Sequence, residues 1–182
     1  MGAKDIKSSS QSGLNHQIEQ FSGLKIQAEQ LKNIDLKGRV VAILGVNQAV
    51  VSHLNYLTEH CQQIYLFQHR PQLILPQSSR VISTLIPHPL IAKNRRLFSN
   101  RIKRLLALRF LEKEVSNIWL RKLLTANAAQ PQKQFLKSDS YFQAVQKSNC
   151  ELITWPISDI KDTTIHTING EFFEINALVV TI

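Results

Sequence analysis

"RVVAILGVNQAVVSHL", Arg39–Leu54, decides how the rest of the chain is read. Val40 to Leu44 is an unbroken apolar run, the mark of a strand buried on both faces. A glycine, Gly45, ends it. Asn47 to His60 then places Val50, Val51, Leu54 and Leu57 on one helical face. A second apolar run, Ile64 to Phe67, follows at once. Strand, helix and strand in this order predict a right-handed β-α-β unit with parallel strands. Upstream, Leu36-Lys37-Gly38 reads as a turn.

Outward from this unit the pattern changes twice. Pro71, Pro76, Pro87 and Pro89 interrupt regular structure, with Ile82 to Ile86 expected as a short extended piece. From Ile91 the spacing becomes helical. Phe98, Ile102, Leu105, Leu108, Leu111, Val115 and Ile118 predict one apolar stripe on a long helix or a helix pair. Ser138-Asp139 is placed to cap a short helix ending near Lys147. Cys150 to Thr154 reads as a strand. Thr163 to Ile168, the Asn169-Gly170 pair and Glu171 to Ile175 predict a hairpin with a type I′ turn. Ala177 to Ile182 is a last buried strand. The expected class is α/β: a Rossmann-type parallel sheet with a helical insertion near residues 91–125 and a C-terminal β-hairpin. Residues 1–20 are expected to form a flexible tail, and 21–182 one domain.

Composition narrows the function classes. The chain has 182 residues, 43% of them hydrophobic, and a net charge of +9. Lys93 to Lys122 alone holds ten basic and two acidic residues, so nearly all of the excess charge lies there. A basic amphipathic helix can lie on anionic lipid or follow a nucleic-acid backbone. It can equally be an insertion whose stripe packs inward and whose charges are solvated. No apolar run is long enough to span a membrane. The polar start, "MGAKDIKSSSQSG", lacks the apolar segment of a secretory signal, and the expected compartment is the cytoplasm. Cys61 and Cys150 are expected to be buried free thiols.

The loop after the first strand bears on chemistry. A dinucleotide-binding fingerprint, G-x-G-x-x-G, uses its first glycine for a tight turn. The second lets the backbone approach the pyrophosphate, and the third allows close helix–strand packing. Here the three positions are Gly45, Asn47 and Val50, so only the first is kept. The second strand ends in "LFQHRP", Leu66–Pro71. Gln68, His69 and Arg70 stand where an NAD site places an acidic residue, and a cation there suits the 2′-phosphate of NADP. A solvated basic loop is the alternative. His53 and His60 lack further ligands for a metal site. Ser52-His53 lacks the G-x-S-x-G elbow of a hydrolase. Trp119 and Trp155 are expected to be packing anchors.

Five blocks in this order resemble the NADPH-binding segment of the flavin-containing monooxygenases of the Baeyer–Villiger type. "FSGLKIQAEQL" keeps Phe21 and Gly23 of that family's F-x-G-x-x-x-H-x-x-x-W, with Gln27 and Leu31 at the histidine and tryptophan positions. Gly45 to Val50 matches its G-x-G-x-[ST]-A in part. "LFQHRP" resembles its "VFQRTP". "KQFLKSDSYFQAV", Lys133–Val145, resembles its "KR-x-L-x-S-x-DYY-x-AL". "NCELITWPISDI" and "INALVV" resemble its return strand. The resemblance implies NADP contacts at Gly45, Val46, Asn47, Gln48, Arg70 and Lys133. It places Gln134 where the family has its catalytic arginine, so no catalytic residue is assigned. FAD is expected only if a separately encoded chain supplies its domain, because no second glycine fingerprint is present. The expectation is a truncated relative with weak or lost NADP binding, inactive alone. The other function class is a non-catalytic module that binds anionic surfaces through Lys93–Lys122.

Overall fold

The computed structural model describes residues 16–85, 99–125 and 134–181. Its centre is a five-stranded, wholly parallel sheet. The strands are β1 (Leu24–Gln27), β2 (Val40–Leu44), β3 (Gln63–Phe67), β6 (Cys150–Ile153) and β10 (Ala177–Val180), in the order β1-β10-β2-β3-β6. Helix α1 (Gln48–His60) carries the crossover from β2 to β3, as the sequence predicts.

The inner strands β10, β2 and β3 alternate their side chains between two cores, because successive residues point to opposite faces. Val41, Ile43, Ile64, Leu66, Ala177 and Val179 face α1 and the short helix α5 (Tyr141–Val145). Ala42, Leu44, Phe67, Leu178 and Val180 face the other way. A three-stranded antiparallel sheet covers that second face: β7 (Ile157–Lys161), β8 (Thr164–Thr167) and β9 (Phe172–Glu174). Ile160, Ile165 and Phe173 are its contribution to the core. The layers are therefore helices, parallel sheet and antiparallel sheet.

The predicted hairpin is present as β8–β9, but its turn differs. Gly170 has φ +89, while Asn169 does not have positive φ, so the turn is not type I′. The Gly170 N–H donates to Thr167 O at 3.0 Å, and the Thr167 N–H to Glu171 O at 3.0 Å. This is the three-residue loop in which a left-handed glycine closes a type I turn. Strand β7 adds a third member that the sequence reading missed.

Between β4 (Ile74–Leu75) and β5 (Leu136–Lys137), which pair in parallel, lie α2 (Ser79–Leu85), α3 (Asn100–Glu114) and α4 (Ile118–Leu124). Ile82–Ile86, expected as extended, is helical through Leu85. Asp139 accepts from the Gln77 and Ser78 N–H groups at 2.7 and 3.0 Å, and Ser78 Oγ accepts from Val81 N–H. These bonds satisfy amides at the helix start. The stripe on α3 is also rotated from expectation. Leu106, Ala107, Phe110 and Leu111 are buried, whereas Leu105 is 51% exposed. Phe110 packs on Phe142, with ring centroids 5.3 Å apart. Phe98 lies outside the described residues. Trp119 and Trp155, expected as packing anchors, are both exposed, for neither lies on a face that meets a core. No described helix is long and apolar enough to cross a membrane.

Candidate functional site

Ligands of open parallel sheets bind outside the carboxyl ends of the strands, where the strand order reverses. Here that point lies between β2 and β10. The chain leaves β2 toward β3 on one side, and β10 returns on the other. Two groups meet there: the Gly45–Gln48 loop and Thr181.

Gly45 makes the turn with φ +88, a region L side chains rarely adopt. A Cβ at this position would also run into the Thr181 hydroxyl. That hydroxyl donates to Leu44 O at 2.9 Å. The glycine therefore lets two strand ends close on each other. Val46 packs against the helix-side core. Val50 is fully buried on the same side.

Asn47 occupies the N-terminus of α1. Its Oδ1 accepts from the Val50 N–H at 3.1 Å, and its Nδ2 donates to Glu29 Oε1 at 3.0 Å. Glu29 lies in the single-turn 3₁₀ helix Ala28–Gln30 that follows β1. An anionic carboxylate thus sits one side chain from the positive end of the α1 dipole, the location an anion favours. Gln48 is engaged just as fully. Its Nε2 donates to Lys137 O at 2.9 Å and to Ser52 Oγ at 2.9 Å, and its Oε1 accepts from the Lys137 N–H at 2.9 Å. This two-way amide pairing ties α1 to β5.

The end of β3 is organised from within. Gln68 is buried, and its Oε1 accepts from the hydroxyl of fully buried Tyr141 at 3.0 Å. Burial raises the Tyr141 phenol well above its ordinary range. Arg70 is exposed, and its carbonyl accepts from Gln68 Nε2 at 3.3 Å. His69 Nδ1 lies 3.2 Å from Thr154 O. Lys133 lies outside the described residues. The structure thus gathers Gly45, Val46, Asn47 and Gln48 at the strand ends and leaves Arg70 on the solvent side of the next loop.

Glu29 and Thr181 were missed by the sequence reading. Each contacts the loop from a distant segment, and nothing local marks either. One cleft of about 390 Å³ lies beside the ends of β1 and β10, lined by Ile26, Gln27, Gln30 and Val180 among others. Another of about 490 Å³ lies between Leu31–Asp35 and His53 with Tyr56. Neither contains a residue of Gly45–Gln48 or Arg70. Among the described residues no His, Cys, Asp or Glu cluster could hold a metal. Cys61 and Cys150 are buried free thiols, as expected.

No family model matches the chain. A Baeyer–Villiger monooxygenase of Pseudomonas aeruginosa is 25% identical over 185 residues, which cover 89% of this chain and 35% of that protein. Among solved structures, a steroid monooxygenase bound to NADP aligns with a TM-score of 0.70 at 14% identity, covering 90% of this chain and 42% of its own. A cyclohexanone-bound cyclohexanone monooxygenase gives 0.72 at 14% identity, covering 90% and 44%. The chain spans about a third of the length of the curated relative. In sequence and in fold it resembles a segment of the flavin-containing monooxygenases of the Baeyer–Villiger type.

Proposed function

We propose that the chain is a Rossmann-type domain of monooxygenase descent in which NADP(H) binding is weak or lost, and which does not oxygenate a substrate by itself. The observation that carries this reading is the Glu29–Asn47–Val50 chain of contacts at the start of α1. A dinucleotide pyrophosphate needs free N–H groups and a positive helix end. As folded, the residues do not fit it. Asn47 Oδ1 takes the Val50 N–H, and the Glu29 carboxylate repels a second anion at the same place. Gln48, the next candidate contact, is held by β5.

Flavin-dependent monooxygenation needs the flavin to carry electrons and activate oxygen, since no side chain substitutes for it. The six glycines of the chain include no two that are two residues apart, so these residues hold no G-x-G-x-x-G for FAD. Gln134 is neutral and lacks the field of an arginine. Activity in this reading requires an FAD domain that these residues do not form. Arg70 and Lys133 are the cations this reading assigns to a 2′-phosphate. The test is calorimetry of the purified chain with NADPH, NADP and FAD. The expected result is no FAD binding and an NADPH Kd in the high-micromolar range or weaker, about −5 to −6 kcal/mol. A stoichiometric flavin or a low-micromolar NADPH Kd would overturn the reading.

A further inference from the structure

A helix that is apolar on every side is normally buried. Helix α4 (Ile118–Leu124) is apolar on both of its long faces but covered on only one. Leu124 is buried and Leu120 packs on the core. On the opposite side Ile118 is 59% exposed, Trp119 71% and Leu123 46%. At helical spacing these three share a stripe with Lys122, whose Nζ stands 4.7 Å from the centroid of the Trp119 ring.

The charge around this stripe selects what covers it. Residues 100–124 hold seven basic side chains and two acidic ones. Some of the cations are held by the fold: Arg121 Nε donates to Val115 O, and Lys113 Nζ to Thr84 Oγ1. Lys122 lies over the exposed tryptophan. The other exposed apolar area, Trp155, Ile168 and Phe172 on the antiparallel sheet, is different. Residues 155–176 there hold four acidic side chains and one lysine, which suits no anionic surface. The combination on α4 is an exposed indole, two aliphatic side chains and an ammonium in a cationic neighbourhood. It is the pattern of a helix lying in the interface of an anionic bilayer. A nucleic-acid backbone would use the cations but not Ile118 and Leu123.

We propose that α4 docks the chain on anionic lipid. Trp119, Ile118 and Leu123 enter the headgroup region, and Lys122 meets the lipid phosphates. The test uses the full chain carrying Trp155→Phe, so that Trp119 is the only indole. Vesicles are phosphatidylcholine alone, or phosphatidylcholine with phosphatidylserine at about three to one. The proposal expects a blue shift of Trp119 emission and salt-sensitive cosedimentation with the serine-containing vesicles, and little of either with phosphatidylcholine. Lys122→Gln should weaken partition about fivefold, as each interfacial cation contributes. Trp119→Ala should weaken it about tenfold or more. Both side chains are exposed, so a native circular dichroism spectrum and melting curve are expected for each variant. Lack of partition would overturn the proposal, as would cosedimentation without a blue shift. So would binding to duplex DNA that survives Trp119→Ala with no vesicle binding, or self-association that buries Trp119.

Discussion

Gln48→Ala separates a side chain that serves the fold from one that serves a ligand. In the structure the carboxamide exchanges two hydrogen bonds of 2.9 Å with the Lys137 backbone and donates a third to Ser52. A net hydrogen bond contributes about 0.5–1.5 kcal/mol, and the lower half of that range applies because these groups are exposed and water replaces the lost partner. Two backbone bonds then contribute about 1–2 kcal/mol. Alanine's better helix propensity returns a few tenths. The expected loss is about 1 kcal/mol, or roughly 2–4 °C in Tm for a domain of this size. Amide exchange should localise the loss, because the Lys137 N–H is the group set free. Thermal melts by circular dichroism, exchange at Lys137 and an NADPH titration are measured on the same variant. An unchanged Tm with unchanged Lys137 exchange, and a weakened response to NADPH, would refute the reasoning and return Gln48 to the ligand.

The other expected outcomes concern single side chains and Gly45. Tyr141→Phe leaves the buried Gln68 Oε1 without its donor and should cost about 1–3 kcal/mol in urea unfolding; no loss would mean that water reaches Gln68. Gly45→Ala should destabilise by more than about 2 kcal/mol, since it adds positive-φ strain to the collision with Thr181. The double variant with Thr181→Ala should recover the collision part and leave the strain, which a double-mutant cycle measures. Burial pushes the Cys61 thiol up to about 11 and that of Cys150 up to about 12. Both thiols should resist alkylation at pH 8 in the folded chain and react once it is unfolded. Because the folded state holds these protons more tightly, their contribution to stability is full below about pH 8.5 and falls as pH rises toward 11–12.

The parts of the fold legible in the sequence are those in which one segment decides its own state. Val40–Leu44 and Ile64–Phe67 are continuous apolar runs, and α1 between them buries the four residues that its periodicity selects. Three features depended on distant partners. Leu24–Gln27 buries only Ile26, so β1 carries no alternation strong enough to read. Ser79–Leu85 is β-rich and flanked by prolines, and the carboxylate at its start comes from Asp139. On α3, leucines at 105, 106, 108 and 111 fit two faces equally, and the choice is made by Phe110 meeting Phe142. The candidate site divided in the same way. Gly45 and the broken fingerprint were readable, and so was the place of Asn47 within it. Its second partner, Glu29, follows a different strand, and only the parallel pairing of β1 with β10 brings it near.

The closed seat at the start of α1 is tested most directly by opening it. Glu29→Gln with Asn47→Gly removes the carboxylate and the side chain that takes the Val50 N–H. It leaves the helix with a glycine cap that costs only a few tenths of a kcal/mol. Calorimetric titration of this variant and of the parent chain with NADPH is the measurement. Removing a repelled charge and freeing a helix-terminal N–H should tighten binding by about tenfold or more, equivalent to about 1.4 kcal/mol. A parent chain that already binds NADPH at low-micromolar Kd would contradict the account. So would a folded double variant that binds no better than the parent.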